Sequence, residues 1–298
     1  MSQDVQSNTS YEPFSLEPVY IEANRAFVEG QSLDGVQRIL DLACGTGTTA
    51  EILLGRMPNA HLNGLDFDPA QIDIVTRKFR EQGYSVRSGF ELTQALENDK
   101  PVLVFGVGSA NDLSFPDGRF DAVIMSHAIH LIREPQSFLK TVQRVLATSG
   151  VFGFNTAFYA GSMPEGTQRV YLDWIQMASD YIDRRNMESE SKGSPPVRRK
   201  RGSRPVGATS RWYTIKEWKT MLEATGLRVH QVYERRVELD EHCLALVGAY
   251  GGMAEVLLSG FPVDIASEAL HASAKPAMKA SNVTTVPRNY LEIWATKI

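Results

Sequence analysis

Short apolar runs alternate with amphipathic stretches through the first half of the chain, a pattern that predicts parallel strands separated by helices. Runs near 38–42, 61–66, 102–107, 120–126 and 150–155 are rich in Val, Ile, Leu and Phe and too short for helices, so they read as buried strands. Between them the apolar positions recur at helical spacing. Ile72, Val75 and Phe79 share one face, with Asp68 as cap, Pro69 in the first turn, Gln71 as reciprocal capping partner and Gly83 past the end. Phe138, Leu139, Val142, Val145 and Leu146 give a second such face ahead of Gly150. Residues 83–101 exceed the usual connection between such elements, which predicts an extra short helix within them.

From 156 onward the alternation lapses. A helix is predicted over 170–182, with Tyr171, Trp174, Ile175, Met177 and Tyr181 read as core, and another from the capping-box pair Thr214 and Glu217 to Gly226. Residues 228–236 and 290–298 read as strands, with two helical patterns in the insertion 237–289 between them. Residues 1–17 read as a mobile tail and 17–30 as a helix over the crevice at the strand ends. The predicted organisation is therefore an N-terminal tail and cover helix over residues 1–30, a core over 31–156 and a helical insertion over 157–212. Residues 213–298 then complete the same fold.

The most specific string is Arg-Ile-Leu-Asp-Leu-Ala-Cys-Gly-Thr-Gly at 38–47: a strand, an acid and a glycine turn that opens a helix. Gly45 and Gly47 lack the Cβ atoms that would hold a ligand off the backbone, and the helix that follows aims free N–H groups at the same place. The turn also satisfies the G-x-G-x-x-G/A pattern of dinucleotide-binding folds, so a nicotinamide-dependent oxidoreductase is the competing reading. Asp41, four residues ahead of Gly45, breaks that tie. With it, the string resembles motif I, [DE]-x-x-x-G-x-G, of the class I S-adenosylmethionine-dependent methyltransferases. Two later segments fit the same resemblance. Asp66 ends the second strand 19 residues after Gly47, and 109–125, Ser-Ala-Asn-Asp-Leu-Ser-Phe-Pro-Asp-Gly-Arg-Phe-Asp-Ala-Val-Ile-Met, is similar to the family's D-A-x-x-L-P-F-x-D-x-x-F-D-x-V.

The resemblance covers roughly 36–156 and lies closest to the quinone and sterol methyltransferase branch. It implies a doubly wound α/β fold, Rossmann-like, whose seven-stranded and mostly parallel sheet has antiparallel closing strands and an added helical cover. It also implies S-adenosylmethionine as cofactor and a small organic acceptor, with Asp41, Ala43, Gly45, Gly47, Asp66, Phe67, Ser109, Ala110 and Ser126 as cofactor-binding residues; that the acceptor is largely apolar is read from the added segments, which carry Trp174, Tyr250, Met253 and Leu257. Asp66 would accept hydrogen bonds from both ribose hydroxyls. Ser109 stands where the family has the acid that reaches the adenine amino group; a neutral hydroxyl there gives on the order of 1 kcal/mol against 1.5 to 3 for a carboxylate. A protein that keeps the fold and binds the cofactor without methylation is a third reading.

Methyl transfer asks the protein for geometry and for the exclusion of water, and for a base only when the acceptor must lose a proton. His127 and His130, directly after the strand 120–126, are the candidate bases, with wall packing as their competing role. Tyr20, Phe158 and Tyr159 are pocket-lining candidates. No metal-ligand cluster stands out.

Composition narrows this further. A net charge of −4 over 298 residues gives no general pull toward nucleic acid. Arg198, Arg199, Lys200, Arg201 and Arg204 sit in a Gly/Pro/Ser stretch, 187–210, that reads as a solvated mobile loop; a lid recognising an acidic acceptor, a nuclear address and a nucleic-acid contact are its other readings. The run 245–263 is apolar but carries Glu255, several glycines and Pro262, so it reads as a buried helix or pocket wall and not a membrane span. Two cysteines, Cys44 and Cys243, and a polar N-terminus without a signal-peptide pattern predict a reduced, cytoplasmic enzyme.

Overall fold

The computed structural model describes residues 9–89, 101–200 and 211–298. Among them the strands are β1 (Arg38–Leu42), β2 (His61–Asp66), β3 (Val86–Ser88), β4 (Leu103–Val107), β5 (Phe120–Ser126), β6 (Leu146–Thr156), β7 (Leu227–Leu239) and β8 (Val286–Lys297). The helices are α1 (Glu12–Ser15), α2 (Pro18–Glu29), α3 (Thr48–Arg56), α4 (Pro69–Glu81), α5 (Pro135–Val145), α6 (Gln168–Ser191), α7 (Ile215–Ala224), α8 (Glu241–Ala249), α9 (Gly251–Leu257) and α10 (Val263–Ala280). They divide into two compact units. One comprises 21–160, 213–235 and 290–298 as far as these are described; the other comprises 9–20, 161–200, 211–212 and 236–289.

The sheet runs β3-β4-β2-β1-β5-β6-β8-β7, parallel from β3 to β6, with β8 antiparallel to β6. It therefore has eight strands where seven were expected. The eighth is the outermost β3, three residues long, which falls in the connection where an extra helix was expected; residues 90–100 of that connection lie outside the described residues. Alternate side chains along each strand go to opposite cores, as a period of two requires. Leu40, Leu42, Val123, Met125, Phe152 and Phe154 join one cluster, packed on Phe138, Leu139 and Val142 of α5 and on Trp218 and Leu222 of α7. Ile39, Leu62, Phe105, Ile124 and Trp294 join the other, packed on Phe27 of α2, Leu53 of α3 and Val75 and Phe79 of α4. Both faces are thus covered, which explains why these strands read as continuous apolar runs.

Helix boundaries follow their caps. Asp68 accepts from the Ala70 amide at 2.9 Å at the start of α4, and Thr214 and Glu217 form the full capping box of α7. β6 begins earlier than expected because Leu146 already pairs with Phe120; the register then shifts before Val151 pairs with Ala122, with Ser149 in the left-handed region.

The second unit is helical. Small residues of α10 (Ala266, Ala269, Ser273, Ala274, Ala277) are buried, and Trp174 of α6 donates to the Leu270 carbonyl at 2.7 Å. The apolar run expected as one buried segment is broken at Tyr250 into α8 and α9. Residues 9–17, expected to belong to a mobile tail, are instead held: Phe14 of α1 is buried, Tyr11 packs edge-on against Phe14, Tyr20 and Tyr250, and the Thr9 carbonyl accepts from the Gly251 amide. The basic stretch, expected to be mobile, is held over 197–200. Asn186 brackets Val197 with two hydrogen bonds, Arg199 donates to the Ser259 carbonyl, and the Lys200 amide donates to the Gly260 carbonyl. Arg201 and Arg204 lie outside the described residues. No helix among the described residues is long and apolar enough to cross a membrane.

Candidate active site

Strand order reverses between β1 and β5: the chain proceeds from β1 outward through β2, then returns to lay β5 on the other side. Ligands of open α/β sheets bind at the carboxyl ends of strands beside such a reversal. Asp41, Asp66 and Ser126 all sit at those ends, on β1, β2 and β5.

The turn after β1 is built by left-handed backbone. Ala43, Gly45 and Gly47 have φ of 54°, 51° and 85°. The two glycines do different things. A Cβ at Gly45 would meet nothing nearer than the Gln71 side chain at 4.0 Å, so the space over this residue is open to a ligand. A Cβ at Gly47 would lie 2.5 Å from Val75 and 2.9 Å from Phe79, so this glycine lets α3 start against α4. Packing therefore requires a glycine at 47, a demand separate from the ligand contact expected of its backbone.

Asp66 is buried, and each of its oxygens accepts a backbone amide: Oδ2 from Gly45 at 2.9 Å and Oδ1 from Asp68 at 3.0 Å. Each oxygen keeps one further lone pair for a ligand hydroxyl. Burial raises its pKa, and the amides of Asp68 and Gly45 hold that rise down. Asp41 is different. It is only 1% exposed, and neither of its oxygens has a hydrogen-bond partner among the described residues. Burial, followed by the charge of Asp66, pushes its pKa up to about 8. The neighbouring Cys44 thiol is pushed up by burial and by both carboxylates, so it is a neutral packing group. An unpartnered buried carboxylate costs several kcal/mol when ionised, on the order of the penalty for any buried lone ion. A cationic ligand removes that cost.

Phe67 and Val107 complete one lip. They are 74% and 47% exposed, although both residue types are normally inside, and Val107 pairs in register with Asp66. The two leave apolar surface uncovered beside the carboxyl ends of β2 and β4. Val107 was missed in the sequence because an apolar strand end looks like core; its register opposite Asp66 is a property of the sheet. Ser109, also exposed, accepts from the Asn111 amide at 3.2 Å, which leaves its hydroxyl proton and one lone pair for a ligand. Ala110 follows it in the same turn. Ser126 is buried, and its hydroxyl has no partner among the described residues.

Both histidines are buried just beyond β5. His127 has φ 51° and its ring stands edge-on to Tyr290 at 4.7 Å. His130, on the short 3-10 turn Ile129–Leu131, stacks on Phe158 at 4.1 Å and places Nδ1 3.3 Å from the Thr156 hydroxyl. Phe158 is thus a wall partner of His130, whereas Tyr159 is buried with its hydroxyl donating to Glu234. Tyr20 packs against Tyr11 and Phe14 in the helical unit.

Residues 40–154 match the family model described as "Methyltransferase domain". A demethylmenaquinone methyltransferase of Thermus thermophilus is 38% identical over 114 residues, 38% of this chain and 44% of that protein. A fatty-acid O-methyltransferase of Mycolicibacterium smegmatis is 30% identical over 166 residues, 56% of this chain and 52% of that protein. The chain therefore spans about half the length of these curated relatives. Among solved structures, a candidate methyltransferase from Bacillus halodurans superposes with a TM-score of 0.54 at 16% identity, over 93% of this chain and 99% of the other. At that identity the likeness concerns the fold. The matched region is thus similar in sequence to methyltransferase domains, and the chain shares its fold with that structure.

Proposed function

We propose that the chain transfers a methyl group from S-adenosylmethionine to a small, largely apolar organic acceptor. The observation that carries this reading is the buried, unpartnered Asp41 beside the Gly45 turn. A nicotinamide dinucleotide would bring a pyrophosphate to that turn, placing anion near anion. S-adenosylmethionine is cationic at both its amino group and its sulfur, and its sulfonium methyl is the group transferred. Asp41 is placed to offset the ammonium charge, Asp66 to accept from the ribose, Phe67 and Val107 to flank the adenine, and Ser109 and the Ala110 backbone to meet its edge. Ala43 and Gly45 admit the ligand to the backbone, and Ser126 offers a hydroxyl at the end of β5.

His130 is assigned as proton acceptor for acceptors that must lose a proton, because Thr156 and Phe158 fix its ring at the sheet's carboxyl end. His127 shapes the turn that carries it. The names of the two relatives, one acting on demethylmenaquinone and one on a fatty acid, support an apolar acceptor. Buried free thiols at Cys44 and Cys243 support a reducing, cytoplasmic compartment, and the net charge of −4 supports a small-molecule acceptor over nucleic acid.

Parallel calorimetric titrations with S-adenosylmethionine, S-adenosylhomocysteine and NAD test the cofactor. The reading expects both adenosyl ligands to bind with one site and NAD to give no heat. Binding of NAD alone would replace it with the oxidoreductase reading.

A further inference from the structure

One polar network in the Rossmann-like unit joins the end of β6 to α2 and to the turn after β5. Asn155, at the end of β6, and Asn24, on α2, are both fully buried. The Asn155 side-chain oxygen accepts from the His127 amide at 2.9 Å, and the Asn155 main-chain oxygen accepts from the same amide at 3.0 Å. The Asn155 side-chain nitrogen donates to the Asn24 side-chain oxygen at 2.9 Å. A backbone amide can only donate, so the Asn155 oxygen must face His127 and its nitrogen must face Asn24. The His127 amide sets which way the Asn155 amide points, and the Asn24 oxygen holds it there from the other side.

The residue being held is in a disfavoured conformation. His127 is a non-glycine residue at φ 51°, and such a residue persists where its surroundings over-determine it. That single residue turns the chain from β5 into the 3-10 turn that carries His130. Two acceptors from Asn155 and the edge of the Tyr290 ring surround it. No local pattern in the sequence links these residues; Asn24 and Asn155 are 131 positions apart.

We propose that Asn155 and Asn24 are positioning residues: through the Asn155 amide, the seating of α2 sets the geometry of the His127–His130 turn and with it the acceptor side of the site. The proposal rests on the reading that methyl transfer occurs at this end of the sheet. It gives α2 a supporting role in the active site through Asn24. Loss of Asn24 leaves Asn155 able to rotate, after which the His127 amide keeps only its main-chain acceptor and the turn loosens.

The test uses the full chain and the variants Asn24→Leu, which removes the lock, and Asn24→Asp, which retains an oxygen for the Asn155 nitrogen. Amide hydrogen exchange across 126–132 is read beside S-adenosylmethionine affinity and turnover with the acceptor found for the unmodified protein. In Asn24→Leu, exchange at His127 to Leu131 is expected to speed by about tenfold, with cofactor affinity within about twofold and kcat lowered. Asn24→Asp restores slow exchange and kcat. Should Asn24→Leu fail to fold, Asn24→Ser breaks the same contact with a smaller change in shape and is read the same way. Unchanged exchange at 127–131 in a folded variant overturns the proposal. Failure of the unmodified protein to bind S-adenosylmethionine instead overturns the methyltransferase reading and leaves the exchange result standing.

Discussion

The Asp66 carboxylate accepts a hydrogen bond from the Gly45 amide at 2.9 Å, so the residue proposed to hold the ribose also holds the turn proposed to admit the cofactor. Its other oxygen holds the Asp68 amide, at the cap of α4. Asp66→Ala therefore removes a ligand contact and two supports of the turn. A loss of about 2 to 4 kcal/mol of S-adenosylmethionine affinity is expected. Titration calorimetry reads it; unchanged affinity would contradict this placement of the ribose.

The two turn glycines separate stability from binding. Gly47→Ala puts a methyl 2.5 Å from Val75 in a left-handed backbone, and overpacking with strain costs about 2 to 4 kcal/mol of stability. Gly45→Ala adds its methyl to open space, so its stability cost is about 1 to 2 kcal/mol, from the backbone alone, while its cofactor affinity falls more. Melting temperature and calorimetric affinity, measured on both variants, check the split. Equal stability losses would show that Gly47 is not a packing residue.

Asp41 gives the stability of the ligand-free protein a pH signature. Its folded pKa, about 8, lies above its unfolded value of about 3.9, so the folded protein holds the proton between those limits. Its contribution is full at low pH and is lost as pH rises toward 8, at up to roughly 1.4 kcal/mol per unit. Asp66, also raised, adds the same sign. His61 and His230, lowered by burial, slope the other way, so the readout is the difference between the unmodified protein and Asp41→Asn from pH 5 to 8. The expected variant has a flatter curve that gains on the unmodified protein as pH rises, and it binds S-adenosylmethionine more weakly. Parallel curves would remove Asp41 from this role.

Much of this site was legible in the sequence because it is local. Asp41, Gly45 and Gly47 fall within one strand and one turn, and Asp68, Thr214 and Glu217 are caps whose partners lie two or three residues away. What was not legible depends on the sheet. β3 offers three residues, too short a run to carry a period. The exposure of Val107, the packing demand on Gly47 and the clamp of Asn155 on His127 arise from neighbours tens of residues distant. α6 runs on to Ser191, past the apolar positions that defined it, through a polar stretch with no helix breaker.

His130 distinguishes a proton acceptor from a wall residue. His130→Gln is expected to lower kcat by on the order of 10² or more with S-adenosylmethionine affinity unchanged, and the unmodified protein's rate is expected to fall at low pH in the histidine range. An unchanged pH profile would return His130 to packing beside Phe158.

Methyl transfer to a small molecule is tested by incubating the purified chain with methyl-labelled S-adenosylmethionine and a small-molecule extract of the source organism, with Asp66→Ala as control. Label is expected in an extractable, largely apolar product, with one S-adenosylhomocysteine formed per methyl transferred, and much less of both with the control at the same cofactor concentration. Tight cofactor binding with no labelled product and no S-adenosylhomocysteine, across extracts that contain apolar metabolites, would contradict it and leave a cofactor-binding protein of the same fold.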